Sequence, residues 1–255
     1  MTRQNSTAAC GLPFALFLTG IGLMVPDAGR AEGLRYTIGL MAGASQSPFD
    51  MGAPEGALVP DLLVEGEGFS IGTSGLTVEV VETEAVTLSA RVAPRFVTAD
   101  PSVVPGLERL ERDIAVEAGL SAGLTVGPFQ AEIEALRDVS DTHGGAAVSA
   151  TLGTGAALTD RLSIGAQIGA TWMDQRLATY AFGVLPSEAG GGLAAHAVPA
   201  SVIASVGAEA SYALGGNLTL VGGVSADILP DSVTASPIVQ RDTVVSVIGG
   251  VRYAF

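Results

Sequence analysis

Read backwards from its C-terminus, this chain alternates. Phe255, Tyr253, Val251, Gly249, Val247 and Val245 form one set, and Ala254, Arg252, Gly250, Ile248 and Ser246 the other. The first set is apolar and ends in aromatics, whereas the second is smaller and more polar. Successive side chains of an extended chain point to opposite faces, so this period of two describes a strand. A soluble sandwich rarely ends such a strand on an exposed Phe. An apolar outer face, a polar inner face and an aromatic end are what a membrane β-barrel needs at its closing seam. Val251, Tyr253 and Phe255 also resemble the C-terminal signal read by outer-membrane assembly machinery.

The alternation recurs along the chain. Leu162, Ile164, Ala166, Ile168, Ala170 and Trp172 oppose Ser163, Gly165, Gln167, Gly169 and Thr171. Ile114 to Leu124, Phe129 to Ala135, Val202 to Tyr212 and Leu218 to Ile228 read the same way. Most of these segments run about 10 to 13 residues, the length a tilted strand needs to cross a bilayer. Apolar positions do not recur at three and four, so a helical reading fails.

Connections alternate too. Gly127-Pro128, Leu158–Arg161 and Leu214–Asn217 are short, whereas 98–111, 174–199 and 230–242 are long. Short turns on one side of the membrane and long loops on the other is the barrel pattern. With the C-terminus periplasmic, every long loop falls outside. Towards the N-terminus, strands are expected near Arg35–Ala44, Ala57–Glu65, Phe69–Val81 and Ala85–Val97. That count is odd, and bacterial single-chain barrels have even numbers. A break at Thr73-Ser74-Gly75 gives twelve strands, and dropping the first gives ten. The expectation is an all-β, antiparallel transmembrane barrel of twelve strands (alternatively ten), forming a single domain over residues 32–255.

Residues 1–31 read as an export signal: Arg3, then the uncharged apolar run Gly11–Val25, then Gly29-Arg30-Ala31 at the expected cleavage point. Cys10, the only cysteine, precedes the apolar run, whereas a lipidated cysteine follows one. The processed chain would then have no thiol, which excludes disulfides and cysteine metal sites. A net charge of −14 argues against nucleic acid as a partner.

Glu79, Arg91, Glu117, Glu132, Glu134, Glu209, Asp227 and Arg252 fall on the expected inner face. They could line a selective lumen or fill a narrow one with an ion-pair network; the filling reading is preferred, and an open pore would favour cations. His143 with Asp138 and Asp141 could activate water, but Asp, Ser, Thr and Gly-Gly in this order fit turn chemistry better. Gly-x-Ser-x-Gly is absent, and His196 is the only other histidine. Asp50, Asp61, Asp138 and Asp141 do not form a calcium loop of alternating oxygen ligands. We therefore expect no catalytic residue, cofactor or metal. Trp172 and Tyr180 are expected to be interface anchors.

Several strings add up in order and spacing. They are Ser47-Pro48-Phe49-Asp50, Pro60, Arg112–Gly119, Asp138–Gly145, Thr171–Asp174, Tyr180–Val184 and Ser236–Val239. With them the chain resembles the MipA/OmpV family of outer-membrane proteins over nearly all of 32–255. The resemblance implies a barrel in outer-membrane lipid, delivered by the barrel-assembly machinery. It further implies a non-enzymatic scaffold for murein synthesis and remodelling, with a lytic transglycosylase and a penicillin-binding protein as partners. A cation-preferring porin-like channel or an adhesin is the alternative. The chain departs from the family's usual pattern at Ala181, between Tyr180 and Phe182, and in the Gly-rich Glu188–Gly192. Both lie in an expected external loop.

Overall fold

A computed structural model describes residues 33–96 and 99–255. The export signal expected at 1–31 lies outside the described residues. The strands are β1 (Arg35–Ser45), β2 (Glu55–Gly66), β3 (Phe69–Gly72), β4 (Gly75–Glu82), β5 (Val86–Arg95) and β6 (Ala115–Val126), then β7 (Phe129–Asp138), β8 (Ala146–Ala157), β9 (Leu162–Met173), β10 (Ser201–Gly215), β11 (Leu218–Ile228) and β12 (Thr243–Ala254). All twelve join in one closed antiparallel barrel. Its seam pairs β1 with β12, from Thr37 opposite Ala254 to Ser45 opposite Ser246.

The break expected at Thr73-Ser74-Gly75 is a hairpin turning at Thr73-Ser74 between β3 and β4, which makes the number even. At the short-turn end, Gly127 between β6 and β7 has φ 57° and Gly216 between β10 and β11 has φ 58°. A side chain at those tight turns would be strained.

The period of two becomes two chemically distinct faces. Ile38, Leu40, Leu120, Ile133, Ile168, Val206, Val224 and Val247 point outward, each about half exposed or more. Together they make an apolar band, the surface that lipid covers. No helix among the described residues is long and apolar enough to cross a membrane. Except where the short β3–β4 hairpin leaves the upper parts of β2 and β5 paired on one side only, the wall satisfies its backbone hydrogen bonds strand to strand, as a lipid setting requires.

The long loops are folded, not merely solvated. The β9–β10 connection contains a helix absent from the sequence expectation, α1 (Gln175–Phe182). Asp174 caps it, accepting a hydrogen bond from the Leu177 amide at 2.9 Å. A short helix, α2 (Asp231–Thr234), lies in the β11–β12 loop. The largest apolar cluster gathers at this end of the barrel. Phe49, Leu110, Leu177, Phe182, Val184, Val198, Val233 and Ile238 pack with Met173, Ile203 and Val244 from the wall. Four loops thus share one small core across the barrel mouth.

Candidate functional site

The long-loop mouth and the charged inner wall beneath it hold most of the polar structure. Cap assembly starts from Asp138 at the end of β7. Its carboxylate accepts from the amides of Ser140 (2.8 Å), His143 (2.6 Å) and Gly144 (2.7 Å), and from the Ser140 hydroxyl (2.7 Å). Asp141 takes the positive φ the turn needs. The turn-chemistry reading of Asp138, Asp141 and His143 therefore describes this loop. Gly145 then runs so close to α1 that a Cβ there would sit 2.6 Å from the Leu177 nitrogen.

The fixed turn drives the His143 ring into the interior, where its side chain is fully buried. Nδ1 accepts from the Gly145 amide at 3.0 Å. In a neutral ring the proton is then on Nε2, which lies 3.2 Å from Glu117 Oε1. Nδ1 is thus engaged by the turn, whereas Nε2 has the Glu117 carboxylate beside it without a hydrogen bond of good geometry. The other Glu117 oxygen, Oε2, is 2.6 Å from Arg95 Nε. Lower on the wall, Arg91 Nη1 is 2.7 Å from Glu134 Oε2.

A second buried pair ties two loops together. The Arg112 guanidinium binds both oxygens of Glu188, with Nη2 to Oε2 at 3.2 Å. Arg112 also donates to the carbonyls of Tyr180 and Gly183 and lies 5.2 Å from the Tyr180 ring centroid. The Tyr180 hydroxyl donates to the Asp113 carbonyl at 3.1 Å. This overturns the expectation of Tyr180 as an interface anchor: it is 7% exposed, inside the cap. Burial pushes its phenol above the ordinary tyrosine value. Trp172 does point outward and is 41% exposed. A groove of about 630 Å³ runs over the cap between Thr142, Arg176, Thr179, Tyr180 and Leu185.

The expected inner-face residues fall into three groups. Glu117, Arg91 and Glu134 sit in the ion pairs above, together with Arg95, which the sequence reading missed. Arg252 pairs with Asp61, Nε to Oδ2 at 2.5 Å, across β12, β1 and β2. Asp227 is buried beneath the cap, and its Oδ1 has no hydrogen-bond partner among the described residues. Glu209 Oε1 is likewise without a hydrogen-bond partner. Glu79, on β4 opposite Ser89, is exposed, and Glu132 is half-buried.

The inner face is graded. Met41, Ser45, Ala93, Glu117, Asp138, Thr171, Ile203 and Val244 are buried towards the long-loop end. Thr37, Leu63, Glu132, Glu209 and Arg252, nearer the short turns, are partly exposed. The interior is a cup, capped at one end and open at the other.

Asp50 and Asp61 have separate tasks: Asp50 accepts from the Gly52 amide and Asp61 pairs with Arg252. Among the described residues, no group of three His, Cys, Asp or Glu side chains is arranged to hold a metal ion. At the C-terminus, Val251, Tyr253 and Phe255 lie on the outer face, the last two rings edge to face with centroids 4.8 Å apart. No positional signal marked Arg112 and Glu188, because both sit in loops where a period of two is silent.

The model of a family described as "MltA-interacting protein MipA" matches residues 38–255, nearly the whole barrel. The chain belongs to this family. Two Escherichia coli relatives, both named "Putative outer membrane protein YiaT", are similar over 239 residues. The one from O157:H7 is 24% identical and the one from strain K12 23%; each alignment covers 91% of this chain and 95% of the relative. Among solved structures, the KdgM porin in complex with oligogalacturonate has a TM-score of 0.47 at 8% identity, covering 86% of this chain and 99% of that one. The translocator domain of the autotransporter NalP from Neisseria meningitidis has a TM-score of 0.46 at 12% identity, covering 90% of each chain. This MipA-family chain is an outer-membrane β-barrel.

Proposed function

We propose that this protein is a non-enzymatic outer-membrane scaffold, sealed towards the outside. Its periplasmic side would hold murein-remodelling enzymes: a lytic transglycosylase, and with it a penicillin-binding protein. The observation that carries this reading is the folded cap. An apolar core shared by four loops across the long-loop mouth suits an anchor better than an open conduit. Short turns of outer-membrane barrels face the periplasm, so the open end of the cup and both ends of the barrel domain face the cell wall. The family's description names an interaction of the same kind. His143, buried in the turn with Nδ1 accepting from the Gly145 amide, fits a structural role better than a catalytic one.

The eight inner-face charges then act mainly as structural filling. Val251, Tyr253 and Phe255 act as the signal by which the assembly machinery takes up the chain. Residues 1–31 are the export segment, removed before insertion, so the envelope-borne protein would begin at Glu32. Reversible cross-linking in intact envelopes, followed by affinity capture of this chain, tests the scaffold. Recovery of a lytic transglycosylase is expected. Capture of the assembly machinery alone, under conditions that retain other envelope complexes, contradicts it.

A second reading is a gated, cation-preferring conduit. It is favoured by the excess of acids over arginines among the inner-face charges: among the described residues, Glu79, Glu132, Glu209 and Asp227 form no ion pair with an arginine. In that case the cap is the gate.

A further inference from the structure

The barrel wall is not equally tall all the way round. β1 pairs with β2 along its full length, from Arg35 opposite Glu65 to Ser45 opposite Glu55. On its other side β2 pairs with β3 only from Leu63 to Gly66. The β3–β4 hairpin turns back at Thr73-Ser74, and β4 meets β5 no higher than Leu76 opposite Val92. Residues 55–61 of β2 therefore have no strand on that side, about 23 Å of strand at roughly 3.3 Å per residue. Two neighbours stop short here, so the gap to β5 is about 14 Å, three inter-strand spacings.

The exposed edge is finished chemically, not left ragged. Within it, the even-numbered residues turn their backbone groups towards the gap. Thr73 covers the two nearest the hairpin. Its amide donates to the Leu62 carbonyl at 2.9 Å, its hydroxyl accepts from the Leu62 amide at 3.0 Å, and the same hydroxyl donates to the Pro60 carbonyl at 3.3 Å. Pro60 has no amide hydrogen to leave unpaired. The hairpin tip is pressed against both jambs by glycine. A Cβ on Gly72 would meet the Leu62 carbonyl, and one on Gly75, at φ +112°, would lie 2.8 Å from the Ala93 Cα. Leu58 and Leu62 point outward beside Pro60, 70% and 49% exposed. Val59, opposite buried Met41, faces inward.

A sheet edge awaiting a partner strand keeps its donors free, whereas next to the hairpin this one lacks a donor at Pro60 and covers the one at Leu62. Apolar side chains beside that finished part of the edge, set in the lipid-facing wall, fit a hydrocarbon chain better than a peptide. We propose that the gap between β2 and β5 is a lateral opening that admits an acyl chain of a bilayer lipid. The chain comes from the leaflet on the long-loop side and lies against Val59 above the Thr73 hairpin. This inference needs only the membrane-inserted barrel and is independent of the scaffold reading.

Brominated acyl chains quench tryptophan on contact, which makes the test direct. In a Trp172→Phe background, single tryptophans are placed at Val59→Trp, at Leu58→Trp on the outer face, and at Ile248→Trp on the inner face of a full-height wall. The folded proteins are reconstituted with lipids brominated along the chain. Because a closed wall keeps lipid from its inner face, quenching of Val59→Trp close to that of Leu58→Trp, and at least roughly twofold that of Ile248→Trp, is the expected result. Quenching of Val59→Trp no greater than that of Ile248→Trp overturns the proposal. A spin label at Val59→Cys, in a Cys10→Ser background, gives an independent readout with a smaller change. Collision with oxygen in preference to a water-soluble nickel chelate is expected, and the reverse preference means a water-filled lumen and no acyl chain.

Discussion

Arg112 and Glu188 form a bidentate ion pair in the cap, with the Arg112 side chain wholly buried. They join the β5–β6 loop to the β9–β10 loop, 76 residues apart in sequence. Removing one partner of a buried pair strands the other's charge, at about 3–5 kcal/mol. Arg112→Met should therefore loosen the cap and expose the Gly190–Gly192 segment to protease, while Arg112→Met with Glu188→Leu should recover part of the protection. Limited proteolysis of the folded protein checks both, and equal resistance of Arg112→Met and the parent contradicts the clamp.

The Asp138 turn makes a local prediction. Asp138→Ala leaves the amides of Ser140, His143 and Gly144 without their acceptor, at roughly 1–3 kcal/mol for each one left buried. Hydrogen exchange across residues 139–145 should speed up, with the strand ladder of β6 unchanged. Unaltered exchange in that loop contradicts the role given to Asp138.

Phe182 packs near Phe49, with ring centroids 6.4 Å apart, at the centre of the loop core. Phe182→Ala should cost about 3–5 kcal/mol of cap stability. The barrel itself is held by its own ladder, so heat-modifiable gel migration should persist while α1 amides exchange faster. Loss of the folded gel form would mean that the cap and wall are one cooperative unit.

Tyr180 gives the pH dependence. Its folded-state value is raised by burial, so the fold favours the neutral phenol. That stabilisation is complete below the ordinary tyrosine value near about 10 and is lost as pH rises through the higher folded value. Cap protection should fall in that alkaline range, and Tyr180→Phe should remove this step while costing about 1 kcal/mol at neutral pH for the lost bond to Asp113. Proteolysis rates against pH for the two proteins decide it; identical alkaline profiles contradict the assignment.

The wall was legible in the sequence and the cap was not, for a physical reason. Strand faces repeat every two residues, so Leu162 to Trp172 or Val245 to Phe255 declare themselves without neighbours. Even the Thr73-Ser74 turn followed from the need for an even number of strands. Cap contacts join residues such as Phe49, Arg112, Tyr180 and Ile238, which no period relates. Yet strings that carried the family resemblance are pieces that meet there: Arg112 Nη2 donates to the Gly183 carbonyl at 3.1 Å, and the Phe49 and Phe182 rings lie 6.4 Å apart. Tyr180 was misplaced because an aromatic at a strand end looks the same whether it faces lipid or folds back under a helix.

The sealed cup is tested most directly by ion conductance of the folded, reconstituted protein in a planar bilayer. The parent should be silent, and Arg112→Met should pass cations in preference to anions. A parent protein that holds a steady open state contradicts the seal on which the scaffold reading depends.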